Sequence, residues 1–285
     1  MKLVPQRALA WRKICHEKWV DSWQERLLWL GPERLVITQF SGSKRVRLEI
    51  YDLTKSEAAV LKKEFGGEIR NLKRSTADWV KSIIQKKPIP IRGRLRIVNF
   101  EPETGRIADP DVIFVPASLA FGTGEHATTA GCLRLMCDIV PRDQADWSFL
   151  DLGTGTGILA LAAAKLGAGR VDAIDADAVA VRTAKRNARL NGLSRKLRIW
   201  LHDVLKFQPE SPYDIVAANL YSVLLRQALP RLVKAARKGG FLIFSGILRE
   251  QQAEVIEWVK ATGLELVETR SRGKWTTLLA RKRGG

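Results

Sequence analysis

Residues 149–160, with the sequence FLDLGTGTGILA, constrain the fold of this chain more than any other stretch. They predict an apolar strand that ends in a glycine loop and continues into an alanine-rich helix. Such a loop directs backbone N–H groups toward a ligand at a helix N-terminus, and glycine lets the ligand approach the main chain closely. Gly153, Gly155 and Gly157 are therefore candidate ligand-binding residues.

An acid at the end of the next predicted strand narrows the choice of ligand. Residues 170–175 form that strand, and Asp175 stands where a doubly wound sheet places the carboxylate that accepts the ribose hydroxyls of a nucleoside. The loop has the pattern G-x-G-x-G and lacks the Lys-Ser/Thr pair of a phosphate-binding loop. S-adenosylmethionine, a nucleoside with an amino-acid tail, fits this pattern better than a nucleotide. An ordinary βαβ unit with a tight glycine turn is the alternative.

The composition is that of a globular protein, with 46% apolar and 27% charged residues. The longest apolar runs, such as residues 241–244, are far too short to cross a bilayer, and the first residues do not resemble a secretion signal. Cys15, Cys132 and Cys137 lack the paired spacing of a metal site, which predicts buried free thiols in a reducing compartment. We therefore expect a cytoplasmic protein without a membrane partner.

The net charge of +18 is unevenly distributed. Residues 1–98 contain 22 basic and 10 acidic side chains, whereas the remainder contains 26 and 20. A basic surface attracts RNA and acidic partners in a strongly salt-dependent way. The excess in the first third predicts a weak contact with rRNA or the ribosome; a generally basic proteome is the alternative.

The first third predicts a small α+β module with the element order of the ferredoxin-like fold. Five apolar residues recur at helical spacing: Trp11, Trp19, Trp23, Leu27 and Leu30. Strands are predicted near residues 8–14, 34–40, 45–50 and 68–72. Thr54 and Glu57 predict the capping box of a helix that ends at Gly66.

The remaining two thirds alternate apolar strands with helices, which predicts a mainly parallel sheet with helices on both faces. Strands are expected at residues 95–98, 112–115, 149–152, 170–175, 197–200, 213–218, 240–245, 264–270 and 275–280, the last two forming a closing hairpin. The predicted fold is α/β, with a Rossmann-like seven-stranded sheet and a smaller N-terminal ferredoxin-like domain. The predicted domains are residues 1–74, a linker at 75–92, and the sheet domain at 93–285.

Ligands of a doubly wound sheet bind beyond the carboxyl ends of its strands, where four polar side chains are expected to gather. Asp151, Asp175, Asp203 and Asn219 lie at the ends of successive strands. Asp203 accepts a hydrogen bond from the adenine amine in one interpretation and caps a helix in the other.

Residues 119–129, with the sequence LAFGTGEHATT, predict a second binding loop. Two glycines, three threonines and a histidine are concentrated here, and loops on a rigid scaffold often carry function. His126 is a candidate catalytic residue on the acceptor side; the alternative is a plain connection capped by Thr128 or Thr129. The three histidines, His16, His126 and His202, show no metal-ligand spacing, so no metal site is expected.

Together these motifs resemble the ribosomal protein L11 methyltransferase family. The resemblance rests on residues 120–129, the glycine loop, Asn219 and residues 242–248, and it covers about residues 75–280. It implies an enzyme that uses S-adenosylmethionine to methylate lysine and N-terminal amines of a large-subunit ribosomal protein, which the ferredoxin-like domain grips. It also implies that Thr129, Gly153, Asp175 and Asn219 contact the cofactor.

The chain departs from the family pattern at four places. The family usually has Thr where Glu125 stands, Pro where Ala127 stands, Cys-Gly-Ser-Gly at residues 154–157 and Asn-Ile-Leu at residues 219–221. Two of these departures, at Glu125 and at residues 219–221, border the acceptor pocket that the resemblance implies. Mitochondrial lysine methyltransferases of an electron-transfer flavoprotein subunit share much of the pattern, and an rRNA methyltransferase or a non-catalytic binding protein are further alternatives.

Methyl transfer from a sulfonium is an in-line displacement, which depends mainly on holding amine, methyl and sulfur collinear. A lysine acceptor, with a solution pKa of about 10.4, must first lose its proton, and desolvation favours that loss. Asn219 is predicted to orient the amine as a catalytic residue. Because Pro does not follow Asn219, the amino-adenine and glutamine-amide acceptors of Asn-Pro-Pro-Tyr enzymes are disfavoured.

Overall fold

The computed structural model of the chain describes residues 9–30, 34–40, 43–71, 88–100, 109–116, 124 and 126–284. These residues divide into two compact units, which cover residues 1–86 and 87–285. Within the described ranges, every helix is too short or too polar to cross a membrane.

The described residues of the first unit form a four-stranded antiparallel sheet and two α-helices. In chain order the elements are β1 (Leu9–His16), α1 (Val20–Leu27), β2 (Leu35–Gln39), β3 (Arg45–Leu53), α2 (Lys55–Phe65) and β4 (Glu68–Asn71). The strand order across the sheet is β2-β3-β1-β4. This β-α-β-β-α-β connection confirms the predicted ferredoxin-like module.

The N-terminus of α2 is held by the predicted capping box. The Glu57 amide donates to Thr54 Oγ1 at 3.2 Å, and the Thr54 amide donates to Glu57 Oε2 at 2.7 Å. Arg34 donates to both carboxylate oxygens of Glu57, at 2.9 and 3.0 Å. These bonds, Arg34 first, hold the pKa of Glu57 at about 2. A local sequence signal therefore also anchors α2 to the residue that precedes β2.

The single helical face expected through Trp11, Trp19, Trp23, Leu27 and Leu30 is wrong. Trp11 lies in β1 and is fully buried, whereas Trp19 lies in a short 3-10 turn and is 53% exposed. The Trp11 and Trp23 ring centroids lie 6.2 Å apart, and Trp11 Nε1 donates to the Gly66 carbonyl at 2.7 Å. The apparent period therefore arises from a strand and a helix that pack together.

The second unit begins with a small sheet of β5 (Ile89–Ile91), β6 (Leu95–Val98) and β7 (Val112–Phe114). Strand β6 is antiparallel to β5 and parallel to β7. Residues 89–91, which the sequence placed in a linker, thus pair with the strands of this unit. Asn191 holds the last strand, because its side-chain amide bonds both the N–H and the C=O of Phe114, at 2.9 and 2.8 Å.

A seven-stranded mixed sheet forms the centre of the second unit. Its strands are β8 (Ser148–Leu152), β9 (Arg170–Asp175), β10 (Leu197–Leu201), β11 (Tyr213–Asn219), β12 (Ala236–Leu248), β13 (Leu264–Arg272) and β14 (Trp275–Lys282). The order is β10-β9-β8-β11-β12-β14-β13; the first five are parallel, and β14 is antiparallel to both neighbours. The predicted α/β fold with a closing hairpin is confirmed.

Helices cover both faces of this sheet. The helices are α3 (Ala127–Ile139), α4 (Ile158–Lys165), α5 (Ala178–Leu190), α6 (Ser222–Ala235) and α7 (Gln252–Ala261). The first three share one apolar cluster with Phe149, and the last two share another with Leu150. These neighbours face opposite sides because strand side chains alternate. Helix α3 buries Cys132 and Cys137, whereas Cys15 is half-buried, and all three thiols are free.

The topology places a switch point between β8 and β11. From β8 the chain continues outward through β9 to β10, and it then returns to β11 on the other side of β8. Open α/β sheets bind ligands at such a switch point, beyond the carboxyl ends of the strands. Gly153 follows β8 and Asn219 ends β11, so both lie at this point.

Candidate functional site

The glycine loop turns tightly from β8 into α4. Gly153, Gly155 and Gly157 have φ angles of 77°, 56° and 83°, in the left-handed region that favours glycine. The amides of Gly153 and Thr154 both donate to the Ile174 carbonyl, at 3.0 and 2.9 Å. The loop is therefore tied to the end of β9.

Close contacts explain why side chains are excluded from two of these positions. A Cβ added at Gly153 would overlap Leu220 Cδ2, and one at Gly157 would lie 3.0 Å from Ala184 Cβ. Gly157 thus lets α5 approach the start of α4. Leu220 follows Asn219 directly, so the glycine loop and the end of β11 are in contact.

Asp175 stands at the carboxyl end of β9 and is half-buried. Its Oδ2 accepts from the Gly155 amide and its Oδ1 from the Asp177 amide, both at 2.9 Å. A carboxylate offers about four acceptor positions, so each oxygen retains capacity for a further donor. A pair of ribose hydroxyls is such a donor set, and the position agrees with the predicted role of Asp175.

Asp151 is buried within the site. Thr154 Oγ1 donates to Asp151 Oδ2 at 2.6 Å. Burial nevertheless raises the pKa of Asp151 to about 7, because the charged form is poorly solvated there. The hydrogen bond between Thr154 and this carboxyl holds the glycine loop against the end of β8.

Asn219 and Thr129 connect the end of β11 to the first turn of α3. Asn219 Nδ2 lies 3.5 Å from the fully buried hydroxyl of Thr129. Asn219 Oδ1 is buried and accepts no hydrogen bond from the described residues. An acceptor left in this condition is costly unless a ligand donates to it. The structure thus brings two predicted site residues together around an unused acceptor.

His126 precedes α3 and lies on the β14 side of the site. Its Nδ1 is 2.7 Å from Thr128 Oγ1, and its ring packs edge-on against Trp275 with centroids 5.1 Å apart. Burial first, and then the positive charge of Lys274, lower the pKa of His126. Both effects favour the neutral form of the ring. Of the preceding loop, residues 117–123 and 125 lie outside the described residues.

Asp203 caps a turn, and no helix begins at it as the second of its predicted roles required. Its Oδ1 accepts from the Leu205 amide at 2.8 Å. The turn continues with a bond from the Lys206 amide to the Asp203 carbonyl at 2.9 Å. The expected contact with an adenine amine stays a prediction.

Two further residues, Gly246 and Trp275, shape the site, and the sequence analysis assigned neither of them a role. Gly246, with φ 84°, lies against Leu220, where an added Cβ would overlap the Leu220 carbonyl oxygen. It occupies an irregularity in the β12–β14 pairing between Phe244 and Ile247. Trp275 reaches His126 from a strand 149 positions later in the chain. Only an isolated glycine within an apolar strand hinted at the first of these features.

A family model described as ribosomal protein L11 methyltransferase (PrmA) matches residues 33–283 of this chain. The chain is 36% identical over 206 residues to the ribosomal protein L11 methyltransferase of Exiguobacterium sp.. It is 38% identical over 209 residues to that of Pelotomaculum thermopropionicum. These matches cover 72% and 73% of this chain but 65% and 66% of the relatives, so the chain spans slightly less than two thirds of their length.

The fold is similar to a crystal structure of ribosomal protein L11 methylase from Lactobacillus delbrueckii subsp. bulgaricus. The TM-score is 0.60 and the sequence identity is 26%. The match covers 70% of this chain and 100% of that chain.

Proposed function

The chain belongs to the ribosomal protein L11 methyltransferase family, and from that membership we propose that it methylates lysine or N-terminal amines of ribosomal protein L11 with S-adenosylmethionine. The observation that carries this proposal is the convergence of the glycine loop, Asp175 and Asn219 at the switch point of the sheet.

The residues at the switch point between β8 and β11 fit S-adenosylmethionine in three respects. Gly153 has a φ of 77° that favours glycine, Asp175 retains acceptor capacity on both oxygens, and Asn219 Oδ1 is a buried acceptor with no donor among the described residues. The ribose hydroxyls of S-adenosylmethionine supply donors for Asp175, and the acceptor amine supplies a donor for Asn219 Oδ1. The proposed cofactor-binding residues are Thr129, Gly153, Gly155, Gly157, Asp175, Asp203 and Asn219.

The bound cofactor supplies a methyl group activated by its sulfonium centre. The protein must then hold the acceptor amine in line, and most of the rate acceleration comes from that alignment. Asn219 Oδ1 accepts an N–H of the amine and thereby points its lone pair toward the methyl group. An amide is uncharged, so it does not stabilise the ammonium form as a carboxylate would. The acceptor lysine is thus deprotonated more easily.

His126 acts on the acceptor side in this proposal. Its contacts with Thr128 and Trp275 fix the ring. Because its pKa is lowered, the neutral ring adds no positive charge that would repel a lysine near pH 7. His126 therefore acts by position and shape, and no dedicated general base is assigned.

We also propose a weak contact between the basic first third and rRNA. Arg45 and Arg47 alternate in β3 with the buried Val46 and Leu48, so they lie on the face of the sheet opposite the helices. We expect the enzyme to act in the cytoplasm. The alternative acceptors are a lysine of another protein, of the electron-transfer flavoprotein type, or rRNA itself.

Incubation with methyl-labelled S-adenosylmethionine tests the proposal directly. Purified L11, an unrelated lysine-rich protein and protein-free rRNA serve as parallel acceptors, with Asn219→Ala as the matched inactive variant. We expect label on L11 alone and its loss in Asn219→Ala. Label on rRNA alone, or on both proteins equally, contradicts the proposed acceptor.

A further inference from the structure

Six basic side chains lie on or beside α3 and the neighbouring end of β13. We call this set the α3 basic stripe; it consists of Arg92, Arg134, Arg142, Arg270, Arg272 and Lys274. All six lie in the second unit, and of the six only Arg92 belongs to the basic first third of the chain.

Shared contacts hold the centre of the stripe together. Asp138 Oδ2, in the last turn of α3, accepts from Arg92 at 2.9 Å and from Arg270 at 2.6 Å. Three residues before Arg134, Gly131 lies so close to Thr277 that an added Cβ would overlap its Oγ1. Thr277 pairs with Arg270 in the β13–β14 ladder. The helix and the hairpin therefore meet along a tightly packed line that brings Arg134 beside β13.

The electrostatics agree with this geometry. The pKa of Arg134 is lowered by burial and then by the positive charges of Arg272, Arg92 and Arg270. Burial raises the pKa of Cys137, and the positive charges of Arg94, Arg92 and Arg142, the last of them beyond the C-terminus of α3, oppose that rise. At the N-terminus, Lys274 acts on His126. The stripe thus extends along the whole helix.

Within the described ranges, two acids form ion pairs with the stripe. Asp138 binds two of its arginines, and Glu268 binds Arg270 at 2.6 Å. Among the described residues, Arg134 and Arg272 have no ion pair or side-chain hydrogen bond. Three neighbouring guanidinium groups repel Arg134, which is itself half-buried. Such a group gains most from an external anion.

We propose that the α3 basic stripe binds the phosphate backbone of RNA. Helix α3 has 13 residues and is about 20 Å long, so it spans several consecutive phosphates. Guanidinium groups bind phosphate through paired N–H donors. A protein partner fits less well, because protein interfaces centre on apolar side chains and α3 exposes no large apolar residue.

Fluorescence anisotropy with a short labelled RNA hairpin, measured over a salt series, tests this site. The test variant is the double substitution Arg134→Gln/Arg272→Gln. Removing these two arginines breaks no ion pair among the described residues, so no acid loses its partner. We expect its RNA affinity to fall about tenfold and the slope of log affinity against log salt to shrink by about 1 to 2. The matched control, Arg182→Gln/Arg189→Gln on the exposed side of α5, removes the same charge and should change affinity less than about twofold.

Equal losses in both double variants would overturn the site, because bulk charge would then explain the binding. Unchanged binding in the test variant would overturn it as well. Tighter binding of polyglutamate than of RNA, lost in the same variant, would assign the stripe to an acidic protein instead. If the double variant does not fold, Arg272→Gln alone tests the site at an exposed position, with about half the change in slope.

Discussion

The Gly155 amide donates to the carboxylate of Asp175, with 2.9 Å between N and Oδ2. This bond joins the glycine loop after β8 to the acid at the end of β9. The residue proposed to hold the ribose therefore also fixes the loop against which the cofactor lies. The two elements of the site act as one, and loss of the carboxylate disturbs both.

Gly246→Ala is expected to destabilise the protein more than Gly263→Ala. Both glycines have positive φ angles, 84° and 79°, so alanine costs each about 1–2 kcal/mol in backbone strain. Only at Gly246 would the added methyl overlap the Leu220 carbonyl, whereas the space at Gly263 is open. We expect Gly246→Ala to lose about 1–3 kcal/mol more of the free energy of unfolding than Gly263→Ala does, as measured by denaturant unfolding. Equal losses would contradict the close packing of Leu220.

Asn219→Asp is expected to move the pH–rate profile of methyl transfer to higher pH. A carboxylate beside the acceptor stabilises its ammonium form, so more hydroxide is needed to produce the reactive amine. The measurement is kcat/KM against pH with L11 as substrate, where the acid limb should shift upward by about 1 unit. A profile that falls in height without shifting would show that Asn219 does not face the amine.

Asp151 is expected to make the ligand-free protein less stable as pH rises from about 4 to 7. The unfolded pKa is about 3.9, whereas burial raises the folded pKa to about 7. Between these values the folded state keeps a proton that the unfolded state has lost, so stability falls by at most about 1.4 kcal/mol per pH unit. Below both pKa values Asp151 causes no loss of stability. Above pH 7 the loss has reached its full size and no longer changes with pH.

The matched variant Asp151→Asn keeps an acceptor for Thr154 but cannot titrate. Urea unfolding across this pH range should show a smaller decline for the variant than for the original protein. Parallel curves would mean that Asp151 is ionised in the folded state throughout.

Lys274→Gln is expected to raise the pKa of His126. The lysine charge opposes protonation of the ring, although burial is the larger cause of the lowered pKa. NMR titration of the His126 ring protons measures the change, and Lys238→Gln, an exposed substitution in β12, is the control. An identical pKa in both variants would place Lys274 too far from the ring to act on it.

Local signals carried the parts of the structure that were predicted correctly. The Thr54–Glu57 capping box lies within four residues, and the glycine loop and Asp175 belong to one βαβ unit. The hairpin of β13 and β14 is likewise a connection between neighbours along the chain. In each case the residues that determine the geometry lie close together in the sequence.

Contacts between distant segments were not accessible in the same way. The spacing of Trp11 and Trp23 suggests one helix, but Trp11 lies in a strand and Trp23 in a helix, and their rings pack together in the folded chain. The His126–Trp275 contact and the fit of Leu220 against Gly246 depend on how β11, β12 and β14 are arranged in the sheet. Neither depends on a spacing that can be seen along the chain.

Calorimetric titration of S-adenosylhomocysteine tests the central claim most directly. We expect one site per chain, and we expect Asp175→Ala to weaken binding by about 1–3 kcal/mol because ribose hydroxyls and the Gly155 amide lose their partner. The affinity of Asp175→Asn should lie between that of the original protein and that of Asp175→Ala. NAD should not bind. An unchanged affinity in Asp175→Ala, or binding of NAD in place of S-adenosylhomocysteine, would contradict the assignment of the crevice.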